Sequence, residues 1–279
     1  MLDILQKLGL PINVSVHGGE IDEVISLLHW LMLFLFIGWG LFFLYTLYRF
    51  SASRNPKADY AGVKSHVSSG LEVAVALIEF VLLIGFALPI WANRVNDVPN
   101  KADGAEEIRV VAQQFAWNIH YPGNDGIFGA RDVNLVDEES NPIGLDKSDP
   151  NAADDFTTIN QLHIPVNKQI RIDLSSKDVI HSFFLPEFRV KQDAIPGMSI
   201  PLWFEATMTS EDYLETLVGS AREGKGFEIA CAQLCGLGHY RMQGFLTVHS
   251  EEDYTAWLDE QAQLLLEEDD EDEWGDDDW

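Results

Sequence analysis

Cysteine is nearly absent from this chain of 279 residues; the two present are Cys231 and Cys235. At most one disulfide can close within it, and neither cysteine sits near the start, where a lipoprotein would need one. Basic residues are scarce too: 18 Lys and Arg stand against 45 Asp and Glu, for a formal net charge of −27. A phosphate backbone needs a basic face, so nucleic acid is excluded as a partner and a cationic partner is favoured. The deficit is uneven: −2 over residues 1–100, −10 over 101–250 and −15 over 251–279.

Charge of either sign is missing from Ile25 to Tyr48, a run of 24 residues. As a helix it would rise about 36 Å, enough to cross a bilayer with some tilt. A second apolar run, Leu71–Trp91, is long enough to span but carries Glu72 and Glu79. The stretch before the first run holds a proline, a single Lys and no apolar block of signal-peptide length, so no cleaved leader is expected there. Between the runs stand Arg49, Arg54, Lys57 and Lys64 against Asp59. By the positive-inside rule that loop is cytoplasmic or on the matrix side, both flanking ends lie outside, and the polar remainder faces the periplasm or an equivalent space. Trp30 and Trp91 fall near the outer ends, where indoles favour the interface.

From Glu107 onward, short β-rich runs alternate with turn clusters, the pattern of a sandwich or Greek-key barrel. The stretch 107–121 reads as one strand. The stretch 159–176 reads as two, turning at Val166–Lys168. Segments 178–186, 199–207, 226–232 and 244–250 follow as strands. Residues 123–156 and 207–224 read as insertions, the second with a short helix. The apolar spacing of Tyr254, Trp257, Leu258, Leu264 and Leu265 after an acidic first turn predicts a further helix, and the acid-rich end predicts disorder through like-charge repulsion.

The chemistry concentrates in Cys231–Met242, CAQLCGLGHYRM. Taken alone, the cysteine pair fits a small-loop disulfide as well as a metal site. His239 follows Cys235 by four positions and Met242 follows His239 by three, between strand-like flanks. Thiolate, imidazole and thioether together suit a soft or borderline ion, copper first and zinc second; a hard ion such as calcium would want carboxylates. A closed site needs a second imidazole, and His181 in DVIHSFFLP is the best candidate. His120, His163 and His249 lack any surrounding that looks like a ligand loop, and His17, His29 and His66 lie in the membrane part.

With HSFFLPEFRVKQDAIPG upstream, this run resembles subunit II of cytochrome c oxidase over nearly the whole chain. The resemblance implies a two-helix transmembrane hairpin followed by an all-β cupredoxin-like Greek-key barrel. Its parts are an outer segment 1–24, spans 25–48 and 71–92 around a cytoplasmic loop 49–70, a copper domain 93–250, a helix 251–266 and an acidic disordered tail 267–279. It implies a binuclear copper centre with Cys231 and Cys235 bridging, His181 and His239 one to each ion, Met242 as a weak ligand and Gln233 through its backbone carbonyl. The family commonly has Glu at the Gln233 position, where it helps hold magnesium against subunit I; Gln233 offers a neutral oxygen there, and magnesium is left out of the expectation. Phe115 stands where the family's electron-accepting Trp is expected, with Trp117 two residues on. Asp178 is expected to face a basic donor, Glu72 to help proton uptake, and Glu79 to face subunit I.

The function so implied is that of the electron-accepting subunit of a terminal oxidase in a bacterial inner membrane. Its partners would be subunits I and III, lipid, and a c-type cytochrome, soluble or permanently docked. It would pass electrons to haem in subunit I for oxygen reduction coupled to proton pumping. Three other readings compete. Subunit II of a quinol oxidase lacks the copper ligands, a thioredoxin-like copper chaperone needs alternating strands and helices, and a disulfide module binds no metal.

Overall fold

A computed structural model describes residues 1–57, 60–62, 64–138 and 140–275. The chain divides into two compact units, one of residues 1–10 with 19–96, the other of residues 11–18 with the chain from Asp97 onward.

The first unit is helical: α1 (Leu2–Lys7), α2 (Gly18–Arg49), α3 (Val67–Leu82) and α4 (Leu88–Asn96). Side chains that stand on different sides of α2, such as Phe34, Phe36, Trp39 and Leu41, are all exposed. A helix apolar all round needs either a protein interior or a bilayer. The most apolar windows of α2 and of the helical stretch Val67–Asn96 have none of their residues buried within the chain, which leaves the bilayer. Both helices outrun the apolar stretches 25–48 and 71–92, because helical hydrogen bonding continues into the flanking polar turns. α3 and α4 are joined by a π-helical turn, Leu83–Ala87. Pro89 brings no N–H and crowds the carbonyl four residues back, which widens the helix just before it.

The second unit is all-β at its centre. Its strands are β1 (Glu106–Gln113), β2 (Ala116–Tyr121), β3 (Phe156–Ile159), β4 (Gln161–Pro165), β5 (Gln169–Ser176), β6 (His181–Leu185), β7 (Val190–Ala194), β8 (Ile200–Glu205), β9 (Phe227–Cys231) and β10 (Gln243–His249). They form two five-stranded sheets, ordered β3-β2-β1-β5-β8 and β4-β10-β9-β6-β7. β5 shows why they pack. Ile170, Ile172, Leu174 and Ser176 are buried and alternate with residues that are not, the period of two that gives a strand one core face. Trp117, Ile119, Phe183, Phe188, Phe204 and Phe227 fill the core. Residues 11–18 belong to it through Val14, fully buried, whose N–H donates to the Glu187 carbonyl and whose own carbonyl accepts from Thr207 N–H.

Three expectations need correction. Residues 107–121 are a hairpin rather than one strand, with β1 and β2 antiparallel from Gln113↔Ala116 to Arg109↔His120; the turn at Gln114–Phe115 carries none of the usual turn residues. β3 and β7 were not anticipated, and β7 shows why: in VKQDA only Val190 and Ala194 are buried. The last helix, α6 (Glu251–Gly275), runs beyond Leu266 into the acid-rich stretch expected to be disordered. Extending a helix is far easier than starting one, and Trp257 anchors its first turns by stacking on His163 at 4.3 Å and against Tyr121 at 5.1 Å. The rest of the expected tail, 276–279, lies outside the described residues. The insertion 207–224 carries its short helix, α5 (Ser210–Thr216), opened by a reciprocal Thr209–Asp212 capping box.

Candidate metal centre

β6 and β9 are antiparallel neighbours, with Phe183 opposite Cys231. His181 begins β6 and Cys231 ends β9, so both fall at the same end of one sheet. The chain leaves β9, makes a loop with a 3-10 turn at His239–Arg241, and re-enters the sheet as β10 directly after Met242. This loop folds back over His181.

The Cys231 and Cys235 sulfurs are 3.8 Å apart. A disulfide requires about 2.05 Å, and both cysteines are free. The Cys235 sulfur lies 3.6 Å from His239 Nδ1 and 3.7 Å from the Met242 sulfur. His181 Nδ1 lies 3.1 Å from the Met242 sulfur and 4.0 Å from the Cys231 sulfur. The Gln233 carbonyl oxygen is 3.2 Å from the Cys231 sulfur. All six positions singled out for copper thus converge. His181, Cys231 and Cys235 in particular form a group able to hold a metal ion. His181, Cys235 and Met242 are buried and Cys231 is half-buried, so the donors meet beneath the surface. The donor set is soft and polarisable, which fits copper.

Protonation favours the same chemistry. Burial pushes the Cys231 thiol up, but its hydrogen bonds with His181, the backbone and His239 outweigh this and bring it down to about 6. Burial, followed by the neighbouring Cys231, drives Cys235 up to about 11. One thiolate therefore stands ready, and the second proton must leave when a cation arrives.

Asp178 is turned inward. Its Oδ1 accepts from His181 Nε2 at 2.8 Å and from Val179 N–H at 2.6 Å, and its Oδ2 accepts from Gln114 N–H at 2.6 Å. Burial works against its ionisation, yet these bonds hold the carboxyl below its ordinary range. Once a cation displaces the proton that His181 Nδ1 shares with the Cys231 sulfur, Asp178 holds the other proton on Nε2 and Nδ1 faces the sulfurs bare. Asp178 is thus engaged by the site.

Phe115 packs on the loop itself. A Cβ on Gly238 would come within 2.4 Å of the Phe115 ring, and one on Gly236 within 3.2 Å. Gly236 also has a φ of +134°, a region side chains avoid. Trp117, named with Phe115 for electron acceptance, lies in the core. It is fully buried, edge-on to His181 at 6.2 Å and to Phe183 at 5.4 Å, because β2 turns it into the core.

Gln114 was passed over in the sequence, although it stands beside Phe115. Its side-chain Nε2 donates to the Cys235 carbonyl at 2.6 Å. Three of the remaining histidines of this unit lie in other groupings, His120 pairing with Asp155 at 2.7 Å and His163 Nδ1 meeting His249 Nε2 at 2.8 Å, and His17, expected in the membrane part, also falls in this unit. Glu72 and Glu79 lie exposed on α3 in the helical unit.

The family described as "Cytochrome C oxidase subunit II, periplasmic domain" matches residues 107–248. The alternative cytochrome c oxidase subunit 2 of Bradyrhizobium diazoefficiens is 33% identical over 249 residues, covering 89% of this chain and 82% of that protein. Cytochrome c oxidase subunit 2 of Cereibacter sphaeroides is 30% identical over 235 residues, covering 79% and 69%. Among solved structures, the periplasmic domain of subunit II of cytochrome oxidase from Bradyrhizobium japonicum is 28% identical with a TM-score of 0.39, covering 60% of this chain and 99% of that one.

Proposed function

This chain belongs to the cytochrome c oxidase subunit II family, and from that premise we propose that it accepts single electrons from a c-type cytochrome at a binuclear copper centre and passes them to haem in subunit I. It is an electron-transfer subunit of a haem-copper oxidase, and so part of an oxidoreductase that it forms with other subunits. Its two apolar helices and its periplasmic-domain family make it a membrane protein with a periplasmic domain. In the proposal that membrane is the bacterial inner membrane, subunits I and III are the neighbours, and oxygen reduction in subunit I is coupled to proton pumping.

One observation carries the copper assignment: two free sulfurs 3.8 Å apart, with an imidazole Nδ1 near each and a thioether sulfur 3.7 Å from Cys235 and 3.1 Å from His181 Nδ1. Cys231, Cys235, His181, His239, Met242 and the Gln233 carbonyl would hold the copper pair. When bound, the copper pair supplies a one-electron couple whose charge is shared over two ions. The chain's own contribution is rigidity and dryness. Asp178 keeps the His181 proton on Nε2, and the loop holds Cys235 and Met242 out of water, so little reorganises when charge changes. Phe115, half-buried on the glycine pair, is the proposed face for electron acceptance. Gln233 presents a neutral amide, and magnesium is not part of the proposal. Glu72 is assigned to proton uptake, and Glu79 to the face toward subunit I, because a carboxyl in a span is costly unless it is protonated or meets a protein.

The test is electron uptake by the assembled oxidase from a reduced soluble c-type cytochrome, followed by rapid mixing over a range of ionic strength. The acidic domain should steer a basic donor, so the rate should fall as salt rises. A flat profile with fast uptake would mean a permanently docked donor, and no uptake at all would overturn the reading.

A further inference from the structure

The two halves of the site come from segments 50 residues apart, His181 from β6 and Cys231 onward from the loop after β9. β6 and β9 pair directly, with Ala232 N–H donating to the Ser182 carbonyl, and the turn between β1 and β2 adds bonds to both the His181 segment and the loop beyond Cys231. Gln114 N–H donates to Asp178 Oδ2, whose other oxygen fixes the His181 ring. The Gln114 side-chain amide donates to the Cys235 carbonyl. That carbonyl belongs to the peptide joining Cys235 to Gly236, at the head of the turn that presents His239. A carbonyl only accepts, so the amide nitrogen must face it. A Cβ on Gly236 would come within 2.7 Å of Gln114 Nε2, so the loop is shaped to let this side chain approach.

We propose that Gln114 is a positioning residue, a strap that ties the His181 segment to the cysteine loop and sets the spacing of the donor groups before and after metal arrives. This rests on the copper reading above and adds a residue that touches no ligand atom. The backbone half of the strap survives any side-chain change, so substitutions isolate the amide. Gln114→Glu keeps the length but sets a carboxylate oxygen against a carbonyl oxygen. Gln114→Met keeps the bulk and has no donor.

The experiment uses the full-length chain loaded with copper. Copper loss to a chelator is timed, and the electron spin resonance spectrum is recorded for wild type, Gln114→Glu and Gln114→Met. In the metal-free protein, the rate of alkylation of Cys235 is measured. Loss of a partner just outside the ligands lowers metal affinity by about ten-fold or more. Copper release about ten-fold faster is therefore expected in both variants, with altered copper hyperfine structure and faster alkylation of Cys235. Release, spectrum and alkylation all at wild-type values in both variants would overturn the strap. Should Gln114→Glu fail to fold, Gln114→Met carries the same comparison. A wild-type chain that takes up no copper pair would instead sink the function proposed above, which keeps the two failures apart.

Discussion

Replacing Asp178 by Asn changes charge and almost nothing in volume, so it probes the inward carboxylate directly. Its Oδ1 serves His181 Nε2, Val179 N–H and, more distantly, the Ser176 hydroxyl, and its Oδ2 serves Gln114 N–H. Asn has one oxygen to offer. With that oxygen toward His181, the amide NH2 confronts Gln114 N–H, donor against donor. With the amide reversed, the NH2 confronts His181 Nε2, which must give up its proton, and the proton then settles on Nδ1, the atom meant for the metal. Either way a hydrogen bond to a charged partner is lost, worth about 1.5–3 kcal/mol. The Asp178 side chain is 29% exposed, so solvent screening favours the lower part of that range. A loss of about 1.5–2 kcal/mol corresponds to copper binding weaker by roughly 10- to 30-fold, in line with the general cost of losing a partner of a metal-binding imidazole. The assay is competition with a copper chelator on the full-length chain. An Asp178→Asn protein that binds copper within about two-fold of wild type, with an unchanged spectrum, would refute the reasoning.

Two further outcomes follow from the same geometry. Gly238→Ala should cost about 1–3 kcal/mol in a denaturant midpoint, since the new methyl meets the Phe115 ring at 2.4 Å; adding Phe115→Ala should recover part of that loss, and strictly additive costs would contradict the contact. Stability should also fall on acidification. Burial, and then His249, push the His163 imidazole down to about 4. The unfolded chain therefore takes up this proton first, near pH 6.5, and the stability present above that value is lost as pH falls toward 4. Melting temperature measured in pH steps should drop across this window, and more shallowly in His163→Phe; identical slopes would show that His163 does not contribute.

The first span was legible because absence of charge over a membrane's width has few other causes, and the second because its apolar run is long enough to cross despite Glu72 and Glu79. The candidate ligands on the loop were legible because Cys231, Cys235, His239 and Met242 share one loop, so local spacing encodes their convergence. His181 was singled out as the best second imidazole by comparison with the other histidines, and its role as a ligand then came from the resemblance, since its partners lie 50 residues or more away and no local pattern points to them. The inward turn of Asp178 was hidden: three residues before His181 it reads as a surface acid, and only the fold of the 176–179 turn brings it back onto the ring. Trp117 was legible as an aromatic but not for its depth, because the hairpin at Gln114–Phe115 decides which face of β2 it takes. The His163–His249 pair spans 86 positions and forms only because β4 and β10 are parallel neighbours, His163 lying opposite Thr247.

The central claim is that Cys231 and Cys235 clamp a pair of coppers. Metal analysis of the purified full-length chain, together with its electron spin resonance spectrum, tests it most directly. Two coppers per chain and a seven-line hyperfine pattern, the signature of one unpaired electron shared by two copper nuclei, are predicted. One copper with a four-line pattern, or a Cys231–Cys235 disulfide in the active oxidase, would contradict it.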